Sequence, residues 1–327
     1  MTPRYGDLAR EVLGGHDVGR SEALGVLRSP DDDLLELLHG AFLLRRARFG
    51  RGVVLHVIRN AKSGRCQEDC AYCSQSAASD GEIPRYDMQS VEEIVDGARR
   101  AHALGAARYC IVTSGRAPGE EELDVVCESA RRIKAELPLA LCVSLGSLVA
   151  SQAARLEAAG VGRYNHNLET SERHFPALCG THAFPDRVAT ARAAKAAGME
   201  LCSGVLLGTG ETLEDRVDVA FALKDLGADA IPVNLLDPRP GTRLAAEERI
   251  TPEGALRALA MFRFVHPDKE IRIAGGRERI LGPLQALALY PANSMFTNGY
   301  LTSPGQGYEA DLAMLKAAGF EPAGFAE

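Results

Sequence analysis

The stretch Gly64-Arg-Cys66-Gln-Glu-Asp-Cys70-Ala-Tyr72-Cys73 carries three cysteines, here called the loop cysteines, separated by three and then two residues. Soft sulfur ligands select iron–sulfur clusters, zinc or cuprous copper over hard cations. A closed zinc site needs four protein ligands, and no histidine or further cysteine lies at the usual spacing from this run. A four-iron cluster held by three cysteines leaves one iron open to a non-protein ligand. The spacing therefore indicates a metal centre with one open position.

Composition narrows the class of protein. The chain has 327 residues, of which 46% are hydrophobic and 6% aromatic, and its apolar content of mostly Ala, Leu and Val suits helices packed on a parallel sheet. A net charge of −7 argues against nucleic acid as a partner. The sequence has no secretory signal and nothing near the roughly 18 apolar residues of a membrane span, so we expect a cytoplasmic protein with no membrane partner. Eight cysteines in that compartment indicate metal ligation or catalysis before disulfides.

The order of predicted elements indicates the fold. Residues 1–50 are predicted as an N-terminal helical extension, residues 51–320 alternate strands with helices, and residues 321–327 are predicted as a C-terminal tail. The candidate strands are 53–59, 108–113, 139–145, 163–167, 200–207, 230–234, 270–274 and 294–296. The candidate helices between and after them are 91–104, 121–136, 147–159, 186–197, 212–226, 251–264, 278–289 and 310–318. Eight alternating units predict one α/β domain, a (β/α)8 TIM-type barrel, with a doubly wound sheet as the alternative.

Three further cysteines lie on predicted barrel strands. In a parallel barrel, functional side chains gather where the strands end, and the loop cysteines follow the first strand. Cys110, Cys142 and Cys202, here called the strand cysteines, lie in the second, third and fifth strands. Each alone is typical of a small buried hydrophobic residue. If all three point into one lumen, they form a second metal centre, and Arg272 in the seventh strand would ligate there or offset their negative charge.

These residues resemble the biotin synthase family of radical S-adenosylmethionine (SAM) enzymes. The CxxxCxxC spacing of the loop cysteines is the radical SAM signature, and the resemblance covers roughly residues 35–318. Further matching segments occur in the same order along the chain, at 61–66, 73–76, 164–168, 201–204, 231–234 and 272–277. This ordered set is far more specific than the cysteine spacing alone.

The resemblance implies two clusters and a reaction. A [4Fe–4S] cluster on the loop cysteines would bind SAM at its open iron and cleave it to methionine and a 5′-deoxyadenosyl radical. That radical would abstract hydrogen from dethiobiotin. Sulfur from an auxiliary iron–sulfur cluster, on the strand cysteines and Arg272, would then close the ring of biotin. The resemblance also implies a flavodoxin- or ferredoxin-type reductant and a homodimer.

The resemblance assigns ligand contacts residue by residue. The positions matched to SAM binding are Tyr72, Thr113, Ser114, Gly115, Asn167, Glu169, Arg187, Gly204 and Gly208. Among them, Tyr72 would meet the adenine, Arg187 the SAM carboxylate, and Glu169 the ribose hydroxyls, where the family often has aspartate. Asn167 and Asn234, which end the fourth and sixth strands, would hold the ureido ring of dethiobiotin because amides both donate and accept.

One further thiol departs from the family pattern. Cys179 lies in the loop after the fourth strand, where many family members have no cysteine. A fourth thiolate would let the auxiliary site hold a four-iron cluster with an extra sulfide instead of the usual [2Fe–2S] cluster, with Arg272 then a neighbour of the cluster. The alternative is an ordinary loop thiol. Cys127 is predicted to pack inside a helix.

Two other functions stay open from the sequence. One is a radical SAM enzyme that acts on another small molecule, such as a relative of the hydrogenase maturases. The other is a non-catalytic zinc or electron-transfer module, which would also explain many cysteines. The missing fourth ligand beside the loop cysteines and the eight-unit barrel weigh against the second.

Overall fold

A short helical layer precedes the barrel in the computed structural model, which describes residues 5–303 and 305–324. Its helices are α1 (Tyr5–Leu13), α2 (Arg20–Leu27) and α3 (Leu34–Phe49). The acidic run Asp31–Asp33 forms a 3₁₀ turn that leads into α3. Apolar residues of all three helices belong to the main buried core. This layer therefore packs against the barrel as part of the same hydrophobic unit.

A closed parallel sheet forms the centre of the molecule. Its strands are β1 (Gly52–Lys62), β2 (Arg108–Thr113), β3 (Ala140–Ser144), β4 (Arg163–Asn165), β5 (Glu200–Cys202), β6 (Val205–Leu207), β7 (Ala230–Leu235), β8 (Glu270–Ile273), β9 (Ser294–Phe296) and β10 (Glu321–Ala323). Each barrel strand pairs in parallel with the next one around the ring, and β9 pairs with β1 in the register Val54↔Ser294. With β5 and β6 counted as one interrupted strand, the predicted eight-stranded TIM-type barrel is confirmed.

Helices connect these strands on the outside of the barrel. They are α4 (Val91–Ala103), α5 (Glu120–Glu136), α6 (Ala150–Ala158), α7 (Phe175–Leu178), α8 (Phe184–Ala196), α9 (Leu213–Asp225), α10 (Pro252–Val265), α11 (Arg277–Leu281) and α12 (Tyr308–Ala317). The predicted helix 278–289 is instead the short α11 followed by a 3₁₀ helix, Gly282–Leu289. Gly282 has φ 48° and Pro283 has no N–H to donate, so the α-helix ends there. Among the described residues, no helix combines the length and apolar character needed to cross a bilayer.

The chain end differs from the sequence prediction. Residues 321–323, assigned above to the C-terminal tail, form β10, which pairs in parallel with the start of β1 in the register Gly52↔Glu321. Phe320 just before it is buried and stacks edge-on against Phe42 and Tyr290. The aromatic contact holds the chain against the helical layer and brings β10 to the barrel edge. Residues 325–327 of the predicted tail lie outside the described residues.

The break between β5 and β6 depends on a close backbone approach. A Cβ added at Gly204 would stand 1.9 Å from the carbonyl oxygen of Pro232 in β7. We therefore expect Gly204→Ala to lower the free energy of unfolding by the upper end of the roughly 1–3 kcal/mol typical of overpacking. Gly162→Ala is the matched control, because a Cβ there meets no atom within 4 Å. Urea unfolding of both variants checks this, and equal stability of Gly204→Ala and the parent would contradict it.

Candidate active site

The loop cysteines lie in the connection that follows β1. Ser114, at the end of β2, donates its hydroxyl to the carbonyl oxygen of Gly64 at 2.6 Å. Within the loop, the Cys66 N–H donates to the carbonyl oxygen of Gln75 at 3.1 Å. All three loop cysteines are free thiols and partly exposed. The end of one strand thus anchors a loop that presents three sulfurs at the same rim of the barrel.

The protonation of these thiols bears on metal binding. Burial raises the pKa of Cys66 and raises that of Cys73 to about 11. A hydrogen bond with Cys179, and then burial, raises the pKa of Cys70. Because a metal binds the thiolate, loading this site must release protons. An all-sulfur donor set of three residues fits an iron–sulfur cluster with one open position.

Cys179 does not lie where the sequence interpretation put it. Its Sγ is 3.9 Å from Cys70 Sγ and 3.1 Å from His182 Nδ1. Among the described residues, Cys70, Cys179 and His182 form a group whose ligand atoms all lie within 4.8 Å of one another. The interpretation of Cys179 as a fourth ligand beside the strand cysteines is corrected, because the short helix α7 carries this thiol back to the loop that follows β1.

The strand cysteines meet inside the barrel. Cys110 and Cys142 are direct neighbours in the β2–β3 register, and all three strand cysteines are buried. A hydrogen bond with Cys110 raises the pKa of Cys142 to about 12, and a second hydrogen bond, with Cys202, opposes that shift. Arg272 Nη1 lies 3.5 Å from Cys202 Sγ. The four residues predicted for the auxiliary site are therefore brought together inside the barrel.

A buried ionic network supports this group, and the sequence interpretation missed it. Glu270 Oε2 accepts from Arg163 Nη1 at 2.7 Å, while Oε1 pairs with Arg272 and lies 3.0 Å from His56 Nε2. Burial opposes ionisation of Glu270, but Arg272 and Arg163 hold its pKa well below its usual value. Arg163 also pairs with Glu200 at 2.7 Å. One buried carboxylate, that of Glu270, thus links Arg163 and Arg272 beside the strand cysteines.

A signal for this network was present in the strands. Arg163 and Asn165 are two residues apart in β4, and Glu270 and Arg272 are two apart in β8. Residues i and i+2 of a strand face the same side of a sheet. Because Arg272 is predicted to face the lumen, Glu270 is expected to face it too. Asn165, also missed, donates from Nδ2 to Cys202 Sγ at 3.3 Å.

One cavity of about 610 Å³ joins the two cysteine groups. Its walls include the three loop cysteines, two strand cysteines and Arg272, together with polar residues from the strand ends. A volume of this size suits a small-molecule site. The predicted residues that line it are Cys66, Cys70, Tyr72, Cys73, Cys110, Thr113, Ser114, Gly115, Cys142, Asn167, Glu169, Arg187, Asn234 and Arg272. The other described candidates, Gly204, Gly208, Cys179 and Cys202, are not among its lining residues.

The predicted SAM residues form a connected group. Tyr72 donates its hydroxyl to Glu169 Oε1 at 3.1 Å, and Arg187 Nη1 donates to the carbonyl oxygen of Asn167 at 2.8 Å. Burial raises the pKa of Glu169, although Arg187 and Tyr72 oppose that shift. Glu169 has φ 68°, a left-handed conformation that is uncommon outside glycine and is often found at functional sites.

The two candidate substrate amides are held by backbone groups. Asn234 Nδ2 donates to the carbonyl oxygen of Val205 at 3.1 Å, and its Oδ1 accepts from the Gly275 N–H at 3.0 Å. Asn167 Oδ1 accepts from Gly204 N–H at 3.2 Å. Gly204 therefore affects the cavity through its backbone. These bonds fix both amides in orientation while each keeps further hydrogen-bonding capacity.

Family comparisons agree with this arrangement. Residues 61–223 match the Radical SAM superfamily, and residues 232–321 match the Biotin and Thiamin Synthesis associated domain. Among solved structures, the chain is similar in fold to methylornithine synthase, with a TM-score of 0.84, 20% identity and 97% of each chain covered. It is likewise similar to an FeFe-hydrogenase maturase from Carboxydothermus hydrogenoformans, with a TM-score of 0.83, 19% identity and coverage of 98% and 80%.

Sequence relatives are closer than these structures. The chain is 53% identical to a biotin synthase of Salinibacter ruber over 96% of this chain and 88% of the relative. It is 49% identical to a biotin synthase of Geobacillus kaustophilus over 96% of this chain and 94% of the relative. This identity extends over both cysteine groups and nearly the whole barrel. The chain belongs to the biotin synthase family of radical SAM enzymes.

Proposed function

We propose that this enzyme converts dethiobiotin to biotin by radical SAM sulfur insertion, with the sulfur drawn from an auxiliary iron–sulfur cluster. The observation that carries the proposal is one cavity lined by the three loop cysteines and by two of the strand cysteines, Cys110 and Cys142. A metal-activated reagent and a sulfur source must both reach one small substrate, and a shared enclosed site meets that requirement.

The two cysteine groups have separate roles in this proposal. The loop cysteines hold a [4Fe–4S] cluster, and the strand cysteines with Arg272 hold the auxiliary cluster. When bound, the first cluster and SAM supply a 5′-deoxyadenosyl radical, and the second supplies sulfur. The guanidinium groups of Arg163 and Arg272 place positive charge beside the buried site into which metal-bound thiolates bring negative charge.

Polar residues of the cavity bind and orient the two small molecules. Tyr72 contacts the adenine of SAM, Glu169 accepts hydrogen bonds from the ribose hydroxyls, and Arg187 pairs with the SAM carboxylate. The buried guanidinium suits this role because its planar fork binds carboxylates in a fixed orientation, and Nε of Arg187 has no partner among the described residues. Asn167 and Asn234 hold the ureido ring of dethiobiotin through donor and acceptor atoms of the same amide.

The auxiliary cluster is proposed to be [2Fe–2S]. Three thiolates and one arginine are available around it, and the contact between Cys179 and Cys70 removes the argument for a larger cluster with a fourth thiolate. Arg272 already contacts Cys202 and is anchored by Glu270. That anchoring supports a place for Arg272 at the auxiliary cluster.

Three further assignments rest on the family resemblance and on the chemistry of the cysteines: the electron donor, the assembly and the compartment. We propose a flavodoxin- or ferredoxin-type protein as the electron donor and a homodimer as the assembly. Eight free cysteines among the described residues support a reducing compartment, the cytoplasm.

The experiment that tests the function starts from anaerobically purified protein. Iron and sulfide are counted, and the enzyme is then incubated with SAM, a low-potential reductant and dethiobiotin. We expect iron for both clusters, with 5′-deoxyadenosine and biotin as products. Absence of both products would contradict the proposal. Formation of 5′-deoxyadenosine without biotin would favour the second candidate, a radical SAM enzyme acting on another small molecule.

A further inference from the structure

An aromatic residue without a role in the proposed function lines the cavity next to the strand cysteines. Tyr300 follows β9 in the chain and belongs to the cavity wall. It packs against a small hydrophobic cluster that contains Cys110, Cys142 and Phe296. Its ring meets that of Phe296 edge-on, with 5.4 Å between the ring centroids. One edge of the Tyr300 ring is thus fixed by packing, while the residue still faces the cavity.

The same ring lies beside the amide that is proposed to bind the ureido ring of dethiobiotin. A Cβ added at Gly275 would stand 2.9 Å from Tyr300 Cε1 and 3.2 Å from Asn234 Oδ1. The Gly275 N–H donates to that oxygen of Asn234 at 3.0 Å. Because Gly275 has no side chain, the Tyr300 ring can approach the backbone that orients the Asn234 amide.

A tight turn holds the backbone of Tyr300 in place. Its N–H and its carbonyl oxygen exchange hydrogen bonds with Ser303, both at 2.8 Å. Arg239 Nη2, from the segment after β7, donates to the Ser303 hydroxyl at 2.6 Å. Thr302 Oγ1 lies 3.4 Å from Oγ of Ser74, in the loop that follows β1. The turn is therefore tied to two other parts of the cavity rim, one of them the loop that carries the loop cysteines.

The chemistry of the site favours a role for the ring of Tyr300. Burial, and then the nearby negative charge of Glu169, raises the pKa of Tyr300, so the side chain is an uncharged aromatic surface at neutral pH. Hydrogen bonds from amides such as Asn234 hold a planar ureido ring by its edge and leave it free to rock about that edge. An aromatic face packed against the plane of the ring removes that freedom.

We propose that the ring of Tyr300 packs against dethiobiotin and holds it in one orientation between the loop cysteines and the strand cysteines. This role rests on the proposed function, which assigns dethiobiotin to the cavity. A substrate held in this way presents the same carbons to both cysteine groups, so hydrogen abstraction is followed by sulfur insertion. A substrate that can tilt is activated without receiving sulfur.

The test compares anaerobically reconstituted holoenzyme variants in a single-turnover assay, normalised to cluster content. Tyr300→Leu keeps an apolar side chain but removes the flat ring. The dethiobiotin concentration for half-maximal biotin formation is expected to rise about 2- to 10-fold, as the loss of an aromatic contact predicts. More 5′-deoxyadenosine is expected per biotin, while the half-saturating SAM concentration stays at the parent value. Tyr300→Phe retains the ring and is expected to match the parent in all three measurements.

Tyr290→Leu is the matched control. Tyr290 is also a partly buried tyrosine, but its ring packs against Phe42 and Phe320 and does not line the cavity. The substitution removes the same ring from a hydrophobic contact elsewhere in the fold. We therefore expect parent values for dethiobiotin saturation and for the ratio of 5′-deoxyadenosine to biotin.

Several results would overturn the role of Tyr300. Parent values of dethiobiotin saturation and product ratio in Tyr300→Leu would show that the ring does not hold the substrate. Equal defects in Tyr300→Leu and Tyr300→Phe would place the effect in the hydroxyl. An equal rise in half-saturating SAM, or loss of iron from Tyr300→Leu, would make the residue a general structural support. A parent that forms no biotin would instead contradict the proposed function.

Discussion

Replacing Cys142 by alanine is expected to abolish biotin formation while SAM cleavage continues, whereas Cys66→Ala is expected to abolish both. Cys142 is buried inside the barrel and hydrogen-bonds with both other strand cysteines. It is remote in sequence from the loop that follows β1. Its loss removes a ligand of the auxiliary site only. Altering residues that merely support a metal ligand costs about 10–100-fold, so we expect loss of the ligand itself to lower biotin formation by more than about 100-fold.

The measurement is a single-turnover assay under anaerobic conditions. Biotin and 5′-deoxyadenosine are quantified together with iron and sulfide content. In Cys142→Ala, the iron content is expected to fall by the amount of iron that the auxiliary cluster contains. 5′-Deoxyadenosine is still formed. Cys127→Ala serves as control, because it removes an equally buried thiol from α5 without touching either group. Biotin formation by Cys142→Ala at the parent level would show that the strand cysteines are not the sulfur site.

Much of the barrel could be predicted because local signals agreed with the final fold. The second strand has the predicted bounds in the structure, Arg108–Thr113, because an aliphatic run lies between helix-ending and helix-starting residues. The interruption at Gly204 was hidden, since it arises from the backbone of β7, which is remote in sequence. The strand β10 was missed for a related reason. Three residues with Pro322 at their centre carry no strand signal, and only pairing with β1 orders them.

The residues of the candidate site likewise divide into those that the sequence could predict and those that it could not. Cys110, Cys142 and Arg272 could be placed in one lumen because strand position determines which rim and face a residue occupies. Cys179 could not be placed, because it lies in a connection whose path depends on α7 and on contacts with the loop after β1. Residues Arg163 and Glu270 were overlooked because charged residues are usually exposed, and only the ion pair explains their burial.

The second prediction with a large expected effect concerns stability, and it rests on the ion pairs of Glu270. Glu270→Gln is expected to lower the free energy of unfolding by about 3–5 kcal/mol, the usual cost of leaving a buried charge without its partner. Glu270 is the carboxylate that joins Arg163 and Arg272, which are 4% and 1% exposed. Glutamine retains the shape but leaves the Arg272 guanidinium without a carboxylate partner, whereas Arg163 keeps its ion pair with Glu200. Glu214→Gln is the control, because its ion pair with Arg28 is exposed and should cost at most about 1 kcal/mol.

The pH dependence of the difference in unfolding free energy between the parent and Glu270→Gln identifies the ionised carboxylate as the source of that difference. Arg272 and Arg163 hold the pKa of Glu270 below its value in the unfolded chain, so the ionised group stabilises the fold above the unfolded pKa of about 4.3. That contribution is lost as the pH falls through the lower folded pKa. Urea unfolding at matched iron content should therefore show the full gap between parent and Glu270→Gln at pH 7, narrowing only below about pH 4.3. A gap that stays constant at lower pH would indicate that glutamine disturbs packing, because a shape defect does not titrate.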